Sequence, residues 1–176
     1  MKVLLSILIL VSLASCWPTS VSFKDSGSMD PRWQNFTVKT LENNAPNANL
    51  SYPAQLTEAI KDGIQNNTRL KLSNNIDSSQ VNIEGTITNY SITPIALQAG
   101  DVAARNRLTI STNYTIFINV PPLENETLTE NKMTLTSTRF ADYDSNLDLT
   151  TVESQLLEEI NKQIVQDVIN KILSNW

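Results

Sequence analysis

Arg105-Asn-Arg-Leu-Thr-Ile-Ser-Thr-Asn-Tyr-Thr-Ile-Phe-Ile-Asn-Val120 decides the fold. Leu108, Ile110, Tyr114, Ile116, Ile118 and Val120 keep one phase, and a period of two is the mark of a half-buried strand. Pro121-Pro122 stops it. Upstream, Val81, Ile83, Gly85 and Ile87 point one way, whereas Tyr90 and Ile92 hold even positions. That change of phase between Thr88 and Tyr90 predicts a bulge or a strong bend. Downstream, after an acidic turn from Glu124 to Asn131, Met133, Leu135, Phe140 and Tyr143 mark a final strand. Short connections between these strands predict an antiparallel meander.

Working outward from the meander, Phe36 and Val38 alternate with Thr37 and Lys39, which predicts a first strand over Asn35 to Leu41. Asn43-Asn44-Ala45-Pro46-Asn47 is turn chemistry. Ser51 is placed as an N-cap with Pro53 in the first turn, and Leu56, Ala59, Ile60, Gly63 and Ile64 form one apolar helical stripe. Arg69 to Leu72 is a short alternating strand, so the first strand–helix–strand unit is expected to be a right-handed crossover. At the C-terminus, Thr150 and Glu153 fit a capping box. Val152, Leu156, Leu157, Ile160, Ile164, Val168, Ile172 and Trp176 then make a stripe long enough to cross a sheet. The pattern predicts α+β: two helices on one face of a curved, mostly antiparallel sheet.

Composition removes several function classes. The 176 residues include 13 Lys+Arg, 18 Asp+Glu, no His, one Cys and four Gly. Without His, a Ser–His–Asp or Cys–His machine is impossible, and one Cys makes no internal disulfide. A zinc site would have to rely on carboxylates. The acidic balance, −5 overall, leaves no basic surplus to neutralise phosphates, so nucleic acid is not expected as a partner. Gly27, Gly63, Gly85 and Gly100 are scattered, so no phosphate-cradling loop exists. No cofactor is called for, and no enzyme is supported.

The single Cys has the most informative position. Met1-Lys2 precedes an apolar run from Val3 to Leu13, then Ala14-Ser15-Cys16, which is the anatomy of a secretory signal. The run is too short for a membrane span of about 20 residues. Leu13-Ala14-Ser15-Cys16 resembles a bacterial lipobox, which implies lipidation of the Cys16 thiol after the cut. The expected division is 1–15 as lipoprotein signal peptide, 16–31 as lipidated tether and 32–176 as the domain. Loss of Lys2 with the signal makes the mature chain one unit more acidic. Asn-x-Ser/Thr recurs at Asn35, Asn49, Asn66, Asn89, Asn113 and Asn125, which an Asn- and Thr-rich exported bacterial chain produces by chance.

Two charged groups stand out. Asp142-Tyr143-Asp144 with Asp148 lacks the Gly and the oxygen count of a calcium loop, and reads as acid ahead of a helix N-terminus. Arg105 and Arg107 open the long strand, where two guanidiniums suit a phosphate. The plainer reading has them solvating the strand end or pairing with Asp101 and Glu84, and both readings stand at this point.

Five segments occur in a telling order: Tyr52-Pro-Ala-Gln-Leu-Thr-Glu-Ala-Ile-Lys-Asp62, Thr68-Arg-Leu-Lys-Leu72, Glu84-Gly-Thr-Ile-Thr-Asn-Tyr-Ser-Ile-Thr-Pro94, Ala104-Arg-Asn-Arg-Leu-Thr-Ile110 and Arg139-Phe-Ala-Asp-Tyr143. With a C-terminal helix ending in Asn175-Trp176, they resemble the Bacteroidetes-type LptE family of lipopolysaccharide-assembly lipoproteins, from about residue 33 to the end. The resemblance implies two helices packed on one face of a mixed, mostly antiparallel four-stranded sheet, β-α-β-β-β-α. It also implies a lipid-anchored outer-membrane protein, facing the periplasm, that plugs a large LptD-type β-barrel and assists lipopolysaccharide assembly. Arg105 and Arg107 are the matching positions that would meet lipopolysaccharide. The alternative is a periplasm-facing lipoprotein subunit of another envelope or secretion complex with the same fold plan.

Overall fold

The computed structural model describes residues 29–95, 105–121 and 131–174. Strands β1 (Asn35–Val38) and β2 (Glu42–Asn43) precede helix α1 (Tyr52–Asn67). Strand β3 (Lys71–Leu72), a 3-10 turn (Ile76–Ser78) and the long strands β4 (Val81–Ile95), β5 (Arg105–Ile118) and β6 (Lys132–Asp144) follow, and helix α2 (Leu149–Leu173) closes the chain. The sheet runs β3-β1-β4-β5-β6, with β2 also on β4. It has six strands rather than four. β3 is the short strand expected after the helix, reduced to Lys71–Leu72 and separate from β4, while β2, also two residues, is too short to carry an alternation of its own. β1 pairs in parallel with β3 and β4, while β4–β5–β6 is the antiparallel meander.

The pattern of apolar residues explains one buried and one open face. Val81, Ile83 and Ile87 of β4, Leu108, Ile110, Tyr114 and Ile116 of β5, and Met133, Ala141 and Tyr143 of β6 are buried under the helices. Opposite them stand Thr109, Ser111, Asn113 and Thr115 on β5 and Thr134, Thr136 and Thr138 on β6. The phase change has the expected cause: the β4–β5 register shifts between Ile87 and Asn89, a bulge that absorbs Thr88 and returns Tyr90 to the core side.

Helix α1 lies on β1 and β3, α2 lies on β6, and the two helices touch. Leu56, Ile60 and Ile64 face Leu156, Leu157, Ile160, Ile164, Val168 and Ile172 within one core. Gly63 permits that approach, because a Cβ there would lie 2.2 Å from Val165 Cγ1. The two helix starts differ in detail from expectation. Ser51 is the N-cap of α1, but its hydroxyl makes no cap bond to the backbone. Asp148, not Thr150, caps α2, accepting from the Thr150 N–H at 2.9 Å. Glu153, freed from any capping box, accepts a hydrogen bond from the Tyr90 hydroxyl at 2.6 Å. Trp176, at the end of the expected stripe, lies outside the described residues.

Candidate functional site

β5 begins with Arg105 and Arg107 two positions apart, so both leave the sheet on its open face while Leu108 and Ile110 enter the core. The antiparallel register then sets Asp142 opposite Arg107 and Asp144 opposite Arg105. Arg107 Nε donates to Asp142 Oδ1 at 2.7 Å and Nη2 to Oδ2 at 2.8 Å, the two-pronged geometry of a guanidinium on a carboxylate. The same guanidinium lies over the Phe140 ring, with Cζ 3.6 Å from the centroid. Hydrogen bonds from Arg107, against a smaller effect of burial, hold the Asp142 carboxyl below the ordinary carboxylate range. Arg105, by contrast, is exposed and has no ion pair among the described residues.

This arrangement separates the two arginines chemically. Arg107 is held flat on Phe140 with its Nε and Nη2 engaged, so an anion there must share it with Asp142. Among the described residues no hydrogen bond engages the Arg105 guanidinium, which acts on Asp142 only through its charge. Of the expected alternative partners, Glu84 sits 3.8 Å from Lys39 instead, and Asp101 lies outside the described residues. Asp142 and Asp148 of the acidic run are a strand ion pair and a helix cap. Among the described residues, no three His, Cys, Asp or Glu groups come together to hold a metal.

A second ion pair had no signal in the sequence. Arg139 of β6 grips Asp167 of α2 through Nη2 to Oδ1 and, at 2.8 Å, through Nε to Oδ2. Ser137 Oγ adds a 2.5 Å bond to that same Oδ2. Burial pushes the Asp167 carboxyl up, and hydrogen bonds from Arg139 and Ser137 outweigh it, leaving it below its ordinary range. Together with Tyr52 to Asn161 at 2.8 Å, these contacts fix α2 at several points along its length. A sequence separation of 28 between Arg139 and Asp167 hides the pairing from any local pattern.

Residues 29–33, just ahead of β1, are fixed at the other end of the sheet. Met29 and Trp33 are buried, Arg69 Nη2 donates to the Met29 carbonyl at 2.9 Å, and Arg32 Nη1 donates to the Pro121 carbonyl at 3.1 Å. Pro121 follows the end of β5, whereas Arg105 begins it. Fourteen residues of strand separate the two ends, about 45 Å at 3.4 Å per step. Cys16 itself lies outside the described residues.

Comparison with known proteins settles the lineage. The family model for LptE, described as lipopolysaccharide assembly, matches residues 33–172. The chain belongs to the LptE family. Its place is therefore in lipopolysaccharide transport, in a family of outer-membrane-associated lipoproteins. Solved structures share its fold at low identity. Lipoprotein B from Nitrosomonas europaea is 15% identical with a TM-score of 0.50, covering 89% of this chain and 92% of its own. A protein from Xanthomonas campestris is 11% identical with a TM-score of 0.53 over the same shares, 89% and 92%. A minor lipoprotein from Acinetobacter baumannii is 17% identical with a TM-score of 0.47, covering 81% and 94%. No curated protein matches the chain significantly in sequence. Among the described residues, no helix is long and apolar enough to cross a membrane.

Proposed function

We propose that this LptE-family chain is a non-enzymatic outer-membrane lipoprotein that plugs an LptD-type β-barrel and assists it in placing lipopolysaccharide. The family match over residues 33–172 carries the reading, and the lipobox-like Leu13-Ala14-Ser15-Cys16 ahead of it supplies the anchor. Residues 1–15 are then removed, Cys16 carries the lipid, and 16–31 lead into the domain, which faces the periplasm and the barrel lumen. A fixed lead-in at one end of a sheet about 45 Å long, with Arg105 and Arg107 at the other, supports a domain anchored at its base. Depletion of the protein in its native cell tests the function. Lipopolysaccharide is expected to accumulate on the periplasmic side, and a normal cell surface after full depletion contradicts the reading.

Within this reading, Arg105 and Arg107 meet lipopolysaccharide phosphate. Arg105 is the primary contact because its donors are open, and Arg107 follows by exchanging Asp142 for the ligand. The contact is local, since a chain of net charge −5 does not draw an anionic glycolipid by its overall field. The double substitution Arg105→Ala, Arg107→Ala should weaken lipopolysaccharide binding at least about tenfold, taking about 1.5 to 3 kcal/mol for hydrogen bonds to charged groups. Arg105→Ala alone should account for most of it. Equal affinity for wild type and double variant removes the site and leaves the barrel role standing.

A further inference from the structure

Among the described residues, no strand pairs with the outer edge of β6. β6 ends the sheet, runs 13 residues from Lys132 to Asp144 without Gly or Pro, and keeps an unbroken register with β5. Natural edge strands usually carry a bulge, a proline or a cover, because an open row of N–H and C=O groups templates further strands. The register tells which groups are open. The Ile118 N–H donates to the Asn131 carbonyl at 2.8 Å, so odd-numbered residues of β6 face β5. The backbone N–H and C=O of Thr134, Thr136, Thr138 and Phe140 therefore point away from the sheet.

Beside this edge runs a groove of about 480 Å³, floored by five consecutive β6 residues, Leu135 to Arg139. Its other wall is Asp167, Asn170, Lys171 and Ser174 of α2. Asp167 is already occupied by Arg139 and Ser137. Lys171 has no carboxylate partner among the described residues, so the groove carries a net positive charge in a chain that is acidic overall.

We propose that the β6 edge and this groove form a strand-addition site for an extended, acidic segment of a partner protein. Backbone hydrogen bonds to Thr134, Thr136 and Thr138 give the affinity, and a carboxylate facing Lys171 gives the selectivity. Charge argues against a second copy of this chain. α2 runs back along β6, which places Lys171 toward the Leu135 end, where an antiparallel second β6 would bring its own Arg139. That Arg139 is already paired with its own Asp167, so Lys171 would meet no free carboxylate there.

Two peptide probes and the ¹⁵N-labelled mature chain test this: acetyl-Thr-Val-Thr-Glu-Thr-Val-Thr-amide and its analogue with Lys in place of Glu. Amide shifts should concentrate at Thr134 to Phe140 and at Lys171, and the Glu probe should bind about two- to fivefold tighter, as an exposed ion pair gives. Lys171→Glu should reverse that preference. Thr136→Pro removes one outward donor and no ladder bond, so it should stay folded and lose more than about tenfold in affinity. Shifts elsewhere, indifference to probe charge, or full binding by a folded Thr136→Pro overturn the proposal. So does a dimer seen by sedimentation, or slow exchange of the outward amides that vanishes when residues 17–27 are deleted.

Discussion

Gly85→Val is expected to lower the stability of the domain by about 2 to 3 kcal/mol, which for a chain of this size is a fall of about 5 to 10 °C in Tm. The reason is a close approach. Gly85 lies in β4 directly opposite Tyr114 of β5, and a Cβ on it would come within 2.6 Å of Tyr114 Cδ1, 2.7 Å of Cε1 and 3.3 Å of Leu41 Cγ. The Tyr114 ring covers the glycine from the core side and is itself 2% exposed, so it has no free space to swing into. Elsewhere in a strand valine would be a gain over glycine, since β-branched side chains suit a pleated surface. Here the overlap decides the sign. The cause is separable from general damage: in a Tyr114→Leu background, where the ring is gone, Gly85→Val should cost at least about 1 kcal/mol less. Denaturant unfolding of the four proteins in the cycle measures this. A Gly85→Val domain as stable as wild type would mean that the ring does not pack on Gly85.

Cys16→Ser is expected to abolish attachment through lipid and leave the barrel contact as the remaining hold on the membrane. A few acyl chains at about 0.8 kcal/mol per buried CH₂ account for firm attachment, and among the described residues no helix offers another way to span a bilayer. Serine keeps the size of the side chain and loses the thiol that would take the lipid. Growth with labelled palmitate should mark the wild-type protein and leave the variant unmarked. The variant should stay folded, and whatever remains at the membrane should be held through the barrel rather than through lipid. A Cys16→Ser protein that still takes up label would end the lipobox assignment without touching the family membership of residues 33–172.

The sequence showed the long elements because each repeats one pattern many times. Fourteen residues of β5 and the α2 stripe leave no ambiguity of period. A single phase change located the bulge at Thr88. Features that depend on tertiary partners were invisible for the same physical reason. The two-residue strand β2 exists because β4 offers it hydrogen bonds, and no alternation fits in two residues, whereas β3 falls within the short strand expected over Arg69 to Leu72. Thr150 and Glu153 spell a capping box locally. Asp148 takes the cap through its carboxylate, and Tyr90, 63 residues away, takes Glu153. At the arginine end, the sequence placed Arg105 and Arg107 on one strand and could not show which has a partner. Asp142, expected as solvated acid, is the residue that divides their roles.

The central claim, partnership with an outer-membrane barrel, is tested most directly by isolating the lipidated, tagged full-length protein from its native envelope in mild detergent and identifying what accompanies it. One large LptD-type β-barrel is expected, in a one-to-one complex. The barrel should stay bound to the Arg105→Ala, Arg107→Ala variant, because those residues serve the glycolipid rather than the barrel wall. Recovery of the subunits of a different envelope or secretion complex, with no such barrel, would contradict it.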